Sequence, residues 1–459
     1  MKYIVLVLVV LLFGACSSKD IVVKKKIKIE KKIEVKKKIE SEKRSEKVLG
    51  ISGFSDIPQD VGFFTKSLSS KVHLYEIQKK YERYYFNVWK NSKPRESVKE
   101  LKWPFYSYKV GHSYGENFQL LKQSFFDEML VNANFKNYAR LNKKAITIKE
   151  VDIRAFPTIK PLLKDPTIAG EGFPFDYLQN STIHANKPLF VSHYSKDKEW
   201  VYVFSSFTSG WIKSNEMVFL KQRDVDSLRN AKQLFFIKEG VPIYAKDGTF
   251  LFSSKLGMML ALVSQNKSSY EALAISSYKN NKAMFQTVKI AKDIARKDVL
   301  SLNKEHLSII VGEMMKSNYG WGGVYGQRDC SSMLRDLFAP FGIWLPRNSS
   351  QQAKVGTVIS LKELDNKEKI ALIKEEAIPF QTLLYKKGHI LLYVGAFKGN
   401  IVVLHDVWGI KTKKDKIEGR KIIGKVIFST LKLGDNLEHY DKESEILKNL
   451  QSMNILTNN

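Results

Sequence analysis

The chain has 459 residues, 44% of them hydrophobic and 12% aromatic, with a formal net charge of +28. That length exceeds a single core and predicts several domains. The composition excludes a disordered chain, and the charge calls for an anionic partner: nucleic acid, an anionic membrane face or a cell-wall polymer.

The first segment, "MKYIVLVLVVLLFGACSSKD", has one early lysine and an apolar run from Tyr3 to Phe13, and reaches Cys16 after small residues. The run is short for a membrane span, which needs about 20 residues, and reads as a secretory signal. Its Gly14-Ala15-Cys16 ending resembles a lipobox, which implies lipidation of Cys16. Ser17 rather than Asp follows, which by resemblance to Gram-negative sorting implies the outer membrane. Residues 1–16 are therefore expected to be a lipoprotein signal, in a periplasmic, envelope-attached protein. Export also argues against a nucleic-acid partner. Residues 17–49 are rich in Lys, Ile and Glu, too poor in apolar residues for a core, and read as a charged spacer.

Residues 50–143 are expected to be a helical domain. Leu74, Ile77, Tyr81, Tyr84, Tyr85 and Val88 recur at spacings of three and four, and Phe118, Leu121, Phe125 and Met129 repeat the pattern. From about Ala145 the period shortens to two. "AITIKEVDIRAF", "KPLFVSHYS", "EWVYVFSS" and "SGWIKSNEMVFL" read as strands of a small antiparallel barrel over 144–221, with Asp197 to Val203 alternating as a half-buried strand. A second barrel is expected over 222–297, with a hairpin turn at Asp247-Gly248. Residues 298–434 mix helix and strand, and the polar tail, 435–459, is expected to end in a helix.

Cys330 is the only cysteine besides Cys16. Asp329 is a good N-cap, and Met333, Leu334, Leu337, Phe338 and Phe341 give one apolar helix face. Cys330 thus falls at a helix N-terminus, where free N–H groups and the helix dipole favour a thiolate and offer an oxyanion site. A nucleophile needs a base that is distant in sequence. "KKGHILLYVGAFKGNIVVLHDVWG" reads as a hairpin, with His389 opening one strand and His405 near the end of the next. The two histidines face the same side only if the loop is odd in length or a bulge shifts the register. His389 would then be the base, and His405 would hold its tautomer.

Asp-Cys-Ser opening a helix, Gly-His opening a strand, and a polar residue on the next strand resemble the NlpC-type papain-like cell-wall cysteine endopeptidases. "YGWGGVYGQRDCSSMLRDLF", "LPRNSSQQ", "GHILLYVG" and "VLHDVWG" carry the resemblance. The relatives usually have Gly where Ser332 stands, which points to a multi-domain subgroup with a helical N-terminal domain and two bacterial SH3-like barrels. The resemblance implies an α+β papain-like catalytic domain and hydrolysis of the amide between γ-D-glutamate and the diamino acid of peptidoglycan stem peptides. It assigns catalysis to Cys330, His389 and His405. It also implies that Asp329 and Ser331 bind the free amine of the stem's L-alanine, with Tyr319 and Trp321 lining the cleft and Trp211 touching it from the first barrel. Arg347, after Pro346 at the start of a helix, is read as structural. The expected partners are peptidoglycan or its fragments and the membrane through the lipid anchor, and a monomer is expected. There is no zinc signature and no phosphate-binding loop, so no metal or cofactor is called for. A related amidase or acyltransferase, or a silent wall-binding lipoprotein, remains the alternative.

Overall fold

The computed structural model describes residues 50–65, 74–278 and 282–456. Cys16, the signal and the charged spacer lie outside these residues. The chain is a multi-domain α+β protein: a helical N-terminal region, two small antiparallel barrels and a C-terminal domain of helices on an antiparallel sheet.

The helical region fills the seams between the other units. Helix α1 (Leu74–Tyr85) and the following turn bury Tyr81, Tyr85, Phe86 and Trp89 against Phe190, Phe204, Phe235 and Met259 of the two barrels. The Trp89 indole is fully buried and keeps its N–H satisfied by donating to Ala145 O (3.0 Å) and Leu189 O (3.2 Å). Residues before α1 dock instead on the C-terminal domain: Gln59 exchanges two hydrogen bonds with the backbone of Phe428, and Phe64 stacks on its ring. Helix α2 (Gln123–Asn132) starts later than the periodicity predicts. Phe118 sits in a positive-φ turn and is half exposed, so it belongs to the connection and not to the helix face.

The first barrel is a seven-stranded antiparallel sheet: β1 (Lys143–Thr147), β2 (Val151–Arg154), β3 (Gln179–Ile183), β4 (Pro188–Tyr194), β5 (Trp200–Phe204), β6 (Ser209–Lys213) and β7 (Met217–Phe219). Their order is β3-β2-β6-β5-β4-β1-β7. Val201 and Val203 point into the barrel core. Trp200, Tyr202 and Phe204 alternate with them but are buried too, because the helical region covers the outer face. The strand is therefore buried on both faces, not on one. A long loop, residues 155–178, leaves the barrel between β2 and β3 and reaches the C-terminal domain, where Phe175 packs on Trp321 and Trp408.

After α3 (Gln222–Asn230), the second barrel runs β8 (Gln233–Phe236), β9 (Pro242–Tyr244), β10 (Phe250–Ser253), β11 (Met259–Gln265), β12 (Ser269–Tyr278), β13 (Lys282–Ala291) and β14 (Ala295–Arg296). Its main sheet has the order β13-β12-β11-β8-β14, while β9 and β10 pair across the Asp247-Gly248 turn.

The C-terminal domain packs α4 (Lys304–Met314) and α5 (Cys330–Phe338) on a six-stranded antiparallel sheet. Its elements are β15 (Thr357–Ser360), α6 (Asn366–Glu376), β16 (Thr382–Lys386), β17 (His389–Phe397), β18 (Asn400–Lys414), β19 (Ile417–Thr430) and β20 (Leu450–Ile455). The order is β15-β20-β16-β17-β18-β19. The tail is thus a strand, not a terminal helix. Leu450, Met453 and Ile455 bury their side chains, and β20 fills the gap between β15 and β16, which would otherwise leave two open sheet edges.

Candidate active site

Asp329 has extended backbone geometry and accepts a hydrogen bond from Ser332 N (2.9 Å), while its own N–H donates to Ser332 Oγ (2.9 Å). This reciprocal cap starts α5 at Cys330. Met333, Leu334, Leu337 and Phe338 are fully buried, and they press the helix onto β17 and β18. Cys330 is therefore fixed over the sheet, 8% exposed, with its sulfur accepting from the Ile390 backbone N–H beside His389.

The β17–β18 hairpin turns over two residues, Lys398 and Gly399, and starts in the register Phe397↔Asn400. In that register His405 would stand opposite Leu392 and face away from His389. A bulge between Tyr393 and Gly395 shifts the ladder to Leu392↔Leu404, so His405 comes opposite Leu391, diagonal to His389 on the same face. His389 Nε2 and His405 Nδ1 are 2.8 Å apart, and His405 Nε2 is 2.9 Å from Ser429 Oγ. Ser429 donates its own hydroxyl proton to Thr430 O (3.0 Å). Its oxygen therefore accepts from His405 Nε2–H, His405 Nδ1 accepts from His389 Nε2–H, and the lone pair of His389 is left on Nδ1.

Cys330 and His389 line one cleft of about 330 Å³, with Tyr319, Asp406 and Trp408. A larger cavity of about 690 Å³ lies between the helical region, the first barrel and residues 344–348. It contains neither Cys330 nor His389, so the chemistry is assigned to the smaller one.

The electrostatics correct the expectation of a resting thiolate. Burial, and then the Asp329 carboxylate, push the Cys330 thiol up to about 12. Burial, and then the charge of Lys386, push His389 down to about 3. His405 is held well below the usual imidazole range, first by burial and next by His389. A helix N-terminus contributes at most about 2 kcal/mol, or roughly 1.5 pKa units, which burial and a neighbouring carboxylate overcome. Burial thus disfavours the charged form of both the thiol and the imidazole.

Asp329 does more than cap. Burial works against its charge, but Arg347 outweighs it and holds the carboxyl at about 2. Arg347 Nη2 lies 2.6 Å from Oδ2 and Nη1 3.2 Å from Oδ1, and the same guanidinium reaches Ser331 Oγ (2.9 Å) and Ser181 Oγ (2.7 Å) of the first barrel. Ser331 Oγ donates to Asp329 Oδ1 (3.1 Å). Asp329, Ser331 and Arg347 thus form one buried network that joins α5 to β3.

Trp321 lies outside the lining of the Cys330 cleft and packs on Phe175 (5.4 Å between centroids) and Tyr177 (5.3 Å) of the 155–178 loop. The chain after Trp321 approaches β3 closely: a Cβ on Gly322, at φ +61°, would lie 2.3 Å from Gln179 O. Tyr319 packs on Trp408, and burial keeps its phenol protonated. Trp211 does not reach the cleft. It is 1% exposed inside the first-barrel seam, edge-on to His193 and Tyr202. Phe175 and Gly170 make the barrel's contribution to the cleft instead. The available signal was the length and the Pro and Gly content of their loop, since long loops inside compact domains tend to carry function. Asp406 was also missed. It is fully buried, neither carboxylate oxygen has a partner among the described residues, and burial followed by Asp329 pushes its carboxyl well above the usual range.

A helix-borne cysteine over an antiparallel sheet that carries its histidine pair defines the papain-like class. Four family models match in the same order: the NLPC_P60 stabilising domain, N-terminal (5–138), an SH3 domain of SH3b1 type (161–213), an SH3 domain of SH3b2 type (222–267) and the NlpC/P60 family (316–420). The chain belongs to the NlpC/P60 family, in its form with a helical N-terminal domain and two SH3-like barrels. Its fold is similar to an NlpC/P60 endopeptidase from Photobacterium damselae subsp. piscicida, at 21% identity and a TM-score of 0.74, over 87% of this chain and 97% of that one. An NlpC/P60 family protein from Bacillus cereus ATCC 10987 matches at 15% identity and a TM-score of 0.42, over 60% of this chain and 81% of that one. No curated protein matches the sequence. The family supports a cysteine-type peptidase of the cell wall, and the SH3b and NlpC/P60 domains are consistent with binding peptidoglycan.

Proposed function

We propose that the protein hydrolyses peptidoglycan stem peptides at the amide between γ-D-glutamate and the diamino acid, through Cys330, His389 and His405. The observation that carries the reading is the directed hydrogen-bond chain His389–His405–Ser429, which leaves the lone pair on Nδ1 of an imidazole in the Cys330 cleft. His389 Nδ1 takes the thiol proton as the sulfur attacks the carbonyl carbon. As the first residue of α5, Cys330 has a backbone N–H without an intrahelical acceptor, available to the developing oxyanion. The imidazolium protonates the leaving amine, the C–N bond breaks and a thioester remains. Water, deprotonated by His389, then releases the acid and restores the thiol. His405 accepts from Nε2–H throughout and keeps the ring oriented.

On the acyl side, Tyr319 supplies an aromatic wall, with Trp321 backing Phe175 from outside the cleft, and Asp329 with Ser331 supplies the polar end for the stem's free amine. Arg347 neutralises much of Asp329's charge, so the amine contributes selectivity more than affinity. The protein acts as a monomer, tethered to the outer membrane through lipidated Cys16. Loss of lipid labelling and of membrane fractionation in Cys16→Ser would support the tether.

The first test compares wild type with Cys330→Ala on free stem peptides and intact sacculi, with products read by mass spectrometry. Cleavage after γ-D-glutamate, lost in the variant, is the expected result. Pelleting with sacculi without cleavage of either substrate overturns hydrolysis.

A further inference from the structure

Beyond His389 the cleft turns basic. Lys386, at the end of β16, and Arg420, on β19, both line it. Arg420 reaches across to the first-barrel loop, where a Cβ on Gly170 would lie 3.0 Å from its Nε. Lys411, on the same wall, is neutralised by Glu418 and Asp441. Lys386 and Arg420 have no such partner: Lys386 Nζ donates to Ser444 O (3.2 Å), and Arg420 Nη1 to the neighbouring Gly419 O (3.1 Å). Among the described residues neither forms an ion pair.

Burial, and then the charge of Arg420, hold the Lys386 ammonium below the usual lysine range. Two partly buried cations that repel each other cost stability unless an anion joins them. They stand beside the residue that must protonate the leaving amine, so the leaving group passes between them.

We propose that Lys386 and Arg420 form a carboxylate subsite for the leaving residue, selecting a diamino acid that carries a free carboxylate. Guanidinium and ammonium groups bind carboxylates through charge-assisted hydrogen bonds, and Arg420 can do so with a two-pronged fork. The subsite deepens the hydrolase reading and rests on it for its assignment to the leaving side.

The test uses the full chain and two tripeptides, L-Ala-γ-D-Glu-diaminopimelate with the diaminopimelate carboxylates free or amidated. Wild type is expected to prefer the free acid by about tenfold or more in kcat/KM, one favourable charged contact's worth. Arg420→Gln should bring the ratio towards one, and Arg420→Lys should restore part of it. Lys386→Met should also lower it, although it relieves charge on His389 as well, so Arg420 is the primary probe. A wild-type ratio near one, or a ratio that survives both substitutions, overturns the proposal. Calorimetric titration of the Cys330→Ala protein with meso-diaminopimelate reads the subsite without turnover. If wild type cuts neither tripeptide, the hydrolase reading fails and this titration decides alone. Binding lost in Cys330→Ala/Arg420→Gln keeps the subsite, and absence of binding overturns it.

Discussion

His389 and His405 meet at 2.8 Å because a single bulged residue lies between Tyr393 and Gly395. His389 opens β17 ahead of an apolar run and His405 ends one in β18, and the imidazole chain they form ends on Ser429 in β19. A buried donor in such a chain is costly to orphan, which makes its members separable by mutation.

His405→Ala removes the acceptor of His389 Nε2–H. The ring can then flip or change tautomer, and kcat on a stem tripeptide is expected to fall by about 10²–10⁴-fold, the range seen when a catalytic histidine loses its orienting partner. His405→Gln keeps an acceptor on the same strand and should recover part of that loss. Stopped assays with thermal unfolding run in parallel check that the Ala variant remains folded. Equal activity in the Ala and Gln variants would remove His405 from the orienting role.

Iodoacetamide should modify Cys330 slowly at pH 7, more slowly than free cysteine, and its rate should rise only towards strongly alkaline pH. The sign follows from a thiol pushed up to about 12 and a histidine pushed down to about 3. Between those values the pair is neutral, so kcat/KM should lack an acid limb near the ordinary imidazole value of about 6.5. Fast alkylation that persists at pH 5 would mean a resting thiolate–imidazolium pair instead.

That reversal marks how far residue-level reading reaches here. The start of α5 at Cys330 was legible, because Asp329 and the spacing of Met333, Leu334, Leu337 and Phe338 are local signals. The need for a bulge or an odd loop between His389 and His405 was also legible, because strand parity is arithmetic. What a local pattern cannot carry is the third dimension. Arg347 and Asp329 stand 18 residues apart on separate elements, and their ion pair sets the charge beside the nucleophile. Phe175 reaches the cleft on a barrel loop that sequence treats as a connection. The Leu450–Ile455 run becomes a strand only because β15 and β16 leave a slot for it. The thiol's acidity depends on burial, which overrode a correct but smaller helix-end effect.

Arg347→Met should leave the Asp329 charge buried without its partner. Breaking one side of a buried pair costs about 3–5 kcal/mol, whereas Asp329→Asn together with Arg347→Met should cost less than the two singles added. Urea denaturation of the four proteins in the cycle measures the coupling. If Asp329 also recognises the stem's amine, Asp329→Asn should in addition narrow the wild-type preference for free over N-acetylated stem peptide. Additive stabilities would show that the pair is not coupled.

Asp406→Asn should stabilise the protein at neutral pH. The folded-state carboxyl of Asp406 is held well above its unfolded value by burial, with Asp329 adding to the rise. A carboxyl raised on folding keeps its full stability contribution only below its unfolded pKa, about 3.9, and loses it as pH climbs towards the folded value. At pH 7 the unfolded chain ionises Asp406 and gains from doing so, whereas an asparagine offers no such gain. Wild type and Asp406→Asn should therefore have similar Tm values near pH 4 and diverge as pH rises, with the variant higher. Thermal scans from pH 4 to 8 measure the divergence. A Tm difference that does not change with pH would show that folding does not raise the Asp406 carboxyl.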